Sequence, residues 1–114
     1  MELPIAEAFQ KAIEAHKAGQ IQEADRLYTA VLKAQPTHAD ANHNLGVLTV
    51  GLDKVQDALP FFKTALDARP STAQFWLSYI DALIKLESLE EARTLFFQAK
   101  VKGVNGDGFD KLLH

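Results

Sequence analysis

Ala58-Leu59-Pro60-Phe61-Phe62, with Pro70 closing the same segment, decides the fold, because its skeleton of small residue, aromatic and proline recurs at a fixed distance on either side. Ala24, Ala58 and Ala92 stand 34 residues apart, as do Tyr28, Phe62 and Phe96, and so do Pro36 and Pro70. Other slots keep their character at the same offset. Ile21, Val55 and Leu89 are apolar, Leu27, Phe61 and Leu95 are large and apolar, and Glu23, Asp57 and Glu91 are acidic. A period of this length marks stacked supersecondary units that contact mainly their neighbours and together present one long face. A face of that kind binds other molecules, usually polypeptides.

Within each unit the apolar residues fall at three- and four-residue spacing in two runs, which predicts two amphipathic helices. The first helices are expected at about 5–18, 39–51 and 73–86, and the second at about 21–34, 55–68 and 89–101. Thr37 with Asp40, Ser71 with Gln74 and Ser88 with Glu91 have the spacing of a capping box and are read as helix starts. Acidic residues in the first turns of the second helices (Glu23, Asp57, Glu90, Glu91) and basic ones in the last (Lys33, Arg69, Lys100) suit the helix dipole. Pro36 and Pro70 stop the second helices, since proline lacks an N–H and restricts the residue before it. Pro60 lies about a turn inside its helix, where a mild distortion is expected rather than a break. Gly103 to Gly108 reads as a loop, and Phe109 to Leu113 as one short helix capped by Asp107 and covering the end of the stack.

The chain has 114 residues, 47% of them hydrophobic and 24% charged, which fits one ordinary globular domain, 1–114, with a core that needs no staple. It has no cysteine, so disulfides, thiolate metal sites and thiol nucleophiles are excluded, in keeping with a reducing, cytoplasmic setting. A net charge of -3 argues against nucleic acid as partner, and no uninterrupted apolar run suggests a signal peptide or membrane span.

These residues resemble the tetratricopeptide repeat family, whose pattern is W-x2-L-G-x2-Y, then A-x3-F, then P, over 34 residues. The middle unit carries Leu45-Gly46, Ala58-x3-Phe62 and Pro70; the third carries Trp76 and Ala92-x3-Phe96; the first carries Ala24-x3-Tyr28 and Pro36. Departures from the pattern are Lys11 in a leucine slot, Ala8 and Asn42 in tryptophan slots, and Val104 in place of a third proline. The resemblance implies an all-α, right-handed helical-repeat solenoid of three helix-turn-helix units, about 5–38, 39–72 and 73–106, with a short capping segment at 107–114. It also implies a protein-protein interaction module without catalysis or cofactor.

In this family the first helix of each unit lines the concave face. The partner-binding groove is therefore expected from Phe9, Ile13 and His16, from His43, Asn44, Val47 and Val50, and from Leu77, Asp81 and Ile84, a mostly apolar set. Chaperone-binding members resemble a basic clamp around a terminal carboxylate, and here only Asn44 matches it, with Phe9, Ile13, Gln74 and Ser78 in the other slots. Asn44 also looks like one rung of the asparagine ladder in O-GlcNAc-transferase-type repeats, a ladder that Gln10 and Ser78 do not continue. The stretch Gln74 to Leu83 is similar to bacterial chains whose repeats precede a glycosyltransferase or sulfotransferase domain. Three functions follow: a module binding a peptide or helical segment, a substrate-recruiting arm of a larger enzyme of that kind, or a scaffold that self-associates through its groove or stack ends.

Other chemistry finds little footing. His38 and His43, with Asp40 nearby, are the best metal candidates, but their spacing of five does not put two imidazoles on one helical face. Glu90 and Glu91 point to different sides of a helix and suit its first turn better than acid-base work. Gly103, Gly106 and Gly108 follow no strand and match no phosphate loop. Trp76, Tyr28, Phe62 and Phe96 read as core. Phe9, Ile13, Val47 and Val50 have a competing reading, burial against a further repeat or another chain.

Overall fold

In a computed structural model, which describes residues 3–104, the amphipathic runs become six helices: α1 (Ile5–Lys17), α2 (Ile21–Ala34), α3 (Ala39–Gly51), α4 (Val55–Ala68), α5 (Ala73–Lys85) and α6 (Leu89–Val101). The boundaries agree with the sequence reading to within one residue, and no strand occurs among the described residues. Each helix packs on the next, giving a row of three hairpins with overall extents of 47 × 26 × 21 Å. The all-α helical-repeat architecture is therefore established. The expected helix at Phe109 to Leu113, its Asp107 cap and the capping segment 107–114 lie outside the described residues.

The hairpin turns are built alike. After α1, Gly19 takes φ 77°, its N–H bonds to the His16 carbonyl, and the Gln20 N–H reaches back to Ala15. Asp53 (φ 64°) and Glu87 (φ 60°) repeat this, with bonds to Val50 and Thr49 and to Ile84 and Leu83. This is the left-handed helix stop that satisfies the last carbonyls, usually given to glycine. Between hairpins the chain turns through the prolines. His38 N–H bonds to the Gln35 carbonyl at 3.0 Å and Thr72 N–H to Arg69 at 3.3 Å, so Pro36-Thr37 and Pro70-Ser71 are spent inside turns. This corrects the expected caps. The helix caps fall one residue later, at His38, whose Nδ1 accepts the Ala41 N–H at 3.0 Å, and at Thr72, which makes no side-chain cap bond. Ser88 does sit at the cap of α6, also without a side-chain bond. Pro60 leaves α4 unbroken, as expected, because only the single bond to the Gln56 carbonyl is lost so near the start.

Small residues at the helix crossings set the packing. A Cβ on Gly46 would stand 2.5 Å from the Phe62 ring, so the bare backbone of α3 is what lets Phe62 lie across it, 1% exposed. Ala24 and Ala58 are fully buried at the corresponding crossings of α2 and α4. The tryptophan slot has a second use. The Trp76 indole N–H donates to the Pro70 carbonyl at 2.7 Å, and Asn42 Nδ2 donates to the Pro36 carbonyl at 3.0 Å and to His38 at 2.9 Å. Both side chains tie a first helix to the preceding proline, which explains how asparagine serves where the pattern has tryptophan.

Candidate functional site

The three first helices, α1, α3 and α5, lie side by side, with α3 touching α5 directly, and the 34-residue register brings equivalent slots into rows on their shared face. Two groups of side chains stand out on and behind these helices. One is polar and internally bonded. Gln74 Nε2 donates to Ser78 Oγ at 3.2 Å, and Ser78 Oγ lies 2.7 Å from His43 Nε2. His43 Nδ1 lies 3.3 Å from Asn44 Oδ1, and separately the Tyr28 hydroxyl lies 3.3 Å from His16 Nδ1.

One direction of donation satisfies the bonds from Gln74 through Ser78 and His43 to Asn44. Asn44 Oδ1 only accepts, so His43 donates from Nδ1 and, as a neutral ring, accepts the Ser78 hydroxyl hydrogen bond at Nε2. That pattern requires His43 to be neutral. The ring sits between Phe75 and Phe62, with centroids at 4.9 and 5.8 Å. Burial there pushes its pKa below the usual histidine value, against smaller opposing effects of the Asn44 bond and the Asp40 charge. Burial likewise pushes the Tyr28 hydroxyl up.

The other group is apolar. Val47 and Ile84 are each 39% exposed, and Ile13, Val50 and Leu77 on the same three helices are half-buried. Phe9 is half-buried beneath one end of the face, its ring 4.8 Å from His38 and 6.2 Å from Tyr28. Asp81 is exposed and pairs with Lys85 at 3.3 Å, and Asp40 pairs with Arg69 at 3.3 Å. The ten expected groove residues thus lie on one row of helices but divide in role. His16 bonds to Tyr28, and His43 to Asn44 and Ser78, while Val47, Val50, Leu77, Ile84 and Ile13 are apolar and at least partly exposed.

Sequence reasoning missed the Ser78 to His43 link between units and the part played by Tyr28, which it took only as core. The signal was available: Tyr28 occupies a slot that is phenylalanine in the other two units, so its hydroxyl is an addition with some use. His38 and His43 do separate jobs, a helix cap and a buried link, and no group of three potential metal ligands occurs among the described residues. No described helix is long and apolar enough to cross a membrane.

A family model described as the tetratricopeptide repeat matches residues 9–62 and again 49–107. No curated protein matches the chain in sequence. Among solved structures, the first repeat domain of Spaghetti (RPAP3), bound to the HSP90 peptide SRMEEVD, superposes with a TM-score of 0.80 at 21% identity, covering 95% of this chain and 89% of that one. PilW, a type IV pilus biogenesis factor, gives 0.84 at 20% identity, covering 97% of this chain and 51% of its own. MamA residues 41 to the end, from Desulfovibrio magneticus RS-1, gives 0.75 at 24%, covering 84% and 54%. The chain therefore spans about half the length of the PilW and MamA chains.

Proposed function

The chain belongs to the tetratricopeptide repeat family, and from that premise we propose that it is a protein-interaction module taking a peptide or helical segment along the face of α1, α3 and α5. The observation that carries this is that Val47 and Ile84 are each 39% exposed on α3 and α5, with Ile13, Val50 and Leu77 of the same three helices only half-buried. The solved repeat domain with the peptide SRMEEVD supports a peptide as the class of partner. The chemistry here differs from what an acidic peptide needs. Phe9, Ile13, Gln74 and Ser78 stand where the family's basic clamp would be, and the acidic groups on this face already hold their own cations. The favoured partner presents apolar anchors, alternate residues of a strand or one stripe of a helix.

Val47→Asp tests the proposal, because it sets an unpaired charge against such an anchor while leaving a side chain that is partly in water. The expected outcome is at least about a tenfold loss of partner binding, with folding changed by less than about 0.5 kcal/mol. Affinity capture on the immobilised wild-type and variant domains, with a thermal melt of each, reads both. Retained partners in the variant, or its unfolding, would remove the basis for the proposal. Tight, salt-sensitive binding of the SRMEEVD peptide would show that the face accepts acidic ligands instead.

A further inference from the structure

We propose that the cleft behind α5, between α4 and α6, is a docking site separate from the groove, taking a short extended peptide segment that is apolar in the middle, anionic at one end and cationic at the other. At about 100° per residue, Trp76 and Tyr79 leave α5 on the side opposite Gln74, Ser78 and Asp81. α4 and α6 both pack on α5, and two cavities of about 400 and 370 Å³ open on this side of it, the larger lined by all three helices. Tyr79, Leu95 and Gln98 line both, so the two form one cleft. It is bounded by described helices and does not depend on where the chain begins or stops.

The 34-residue period shows why the space is there. Leu95 occupies the slot that is Phe61 one unit earlier, and Phe61 packs against the cluster of Tyr28, Val31 and Leu45. Leucine is too short to fill what a ring fills, and the slots of Thr29, Leu45 and Ala68 have become Lys63, Tyr79 and Lys102 around that space. The wall is fixed and apolar: Trp76 is 2% exposed and held by its bond to the Pro70 carbonyl, with Leu66 buried in the same cluster. The Tyr79 hydroxyl makes no hydrogen bond among the described residues. Burial first, then Glu91, pushes its pKa up, Asp67 adding to this and Lys63 opposing it, so it stays a donor for an incoming carbonyl or carboxylate.

The rim is charged, and its two ends differ in sign. Lys63 and Lys102 stand at one end against the single carboxylate of Asp67, which pairs with Lys63 at 3.3 Å. Glu90 and Glu91 stand at the other, exposed and in no ion pair among the described residues. At 1.5 Å per residue Glu91 and Lys102 lie about 17 Å apart along the helix. That is the span of about five residues of extended chain. Opposite charges at the two ends fix the direction in which a segment lies, and a segment of one sign meets repulsion at one of them.

NMR titration of the isotopically labelled 114-residue chain tests the proposal with a synthetic peptide of two lysines, glycine, leucine, phenylalanine, glycine and two glutamates, blocked at its termini and made in both sequence directions. One of the two should shift the backbone amides of Tyr79, Leu95 and Gln98, and bind at least about tenfold tighter than a peptide of the same composition with its charges alternating. Leu95→Phe, which supplies the ring found one unit earlier, should abolish those shifts without altering a charge. Lys102→Glu and Glu91→Lys, both at exposed positions, should each weaken binding about tenfold while keeping the wild-type circular dichroism. Amides that stay unmoved to millimolar peptide overturn the proposal, as do shifts confined to Val47 and Ile84, which would assign the peptide to the groove. So does binding that Leu95→Phe and the two charge variants leave intact, or movement of the same amides with protein concentration alone, which would make a second copy the occupant.

Discussion

The second and third units carry the same comb of residues yet pack differently, and the difference traces to one slot. In the second, Gly46 lets α4 close on α3 and Phe62 is buried to 1%. In the third, the slot holds Ile80, itself 2% exposed, and the equivalent Phe96 is only half-buried. Contact between the two helices of a unit is densest with Gly46, slightly less so with Ala12 in the first unit, and clearly sparser with Ile80. The size of one side chain at a crossing thus sets how close two helices come, and the aromatic opposite is either sealed in or left at the edge.

The sharpest way to break this comparison is to remove each aromatic in turn. Phe62→Ala should cost about 3–5 kcal/mol, as for a fully buried ring, and Phe96→Ala less than half of that. Denaturant unfolding of the two variants measures the gap; equal costs would mean that the Ile80 slot does not loosen the third unit. A step smaller, Gly46→Ala drives a methyl into the Phe62 ring and should cost about 1–3 kcal/mol, although alanine is the better helix former. A stability gain there would show that α3 and α4 can separate at little cost, and the crossing argument would fail.

How much of this was legible beforehand follows from range. The helices and their pairing were, because periodic apolar spacing and the proline stops are local signals. The caps at Thr37 and Ser71 were misplaced by one residue, since a hydroxyl near a helix start looks the same whether it caps or sits in the preceding turn. The period puts equivalent residues of α1, α3 and α5 in one register, but it does not reveal the division between bonded and apolar residues. That division depends on Ser78 reaching His43 across 35 positions, a contact that no local pattern announces. Asn42 departs from the tryptophan of the repeat pattern, and only its bond to the preceding proline carbonyl reveals it as an equivalent of Trp76.

His43 joins the two units and gives a pH handle on their contact. Its folded pKa is lowered from 6.5, so the unfolded chain binds the proton more readily. The stability that goes with the neutral ring is therefore complete above the unfolded value and is lost as pH falls through the folded one. The domain should melt lower at pH 5 than at pH 7.5, and His43→Gln should reduce that difference, the carboxylates being common to both proteins. An unchanged pH slope in the variant would mean that the ring ionises freely and that the link to Ser78 is not held in one protonation state.

The smallest effect lies in the turns that the two units share. Asp53 and Glu87 both take left-handed φ, where the first unit uses Gly19. A β-carbon costs roughly 1–2 kcal/mol in that region, less for aspartate, whose short side chain bonds locally, than for glutamate. Glycine removes the strain but adds about 0.5–1 kcal/mol of backbone entropy to the unfolded chain. Either replacement also withdraws a negative charge from the negative end of a helix. Glu87→Gly should accordingly stabilise by about 0.5 kcal/mol, and Asp53→Gly should be close to neutral. Paired thermal melts will order them. If Asp53→Gly gains more than Glu87→Gly, the strain lies in the tightly packed second unit, and the third is loose enough at its turn to have relaxed already.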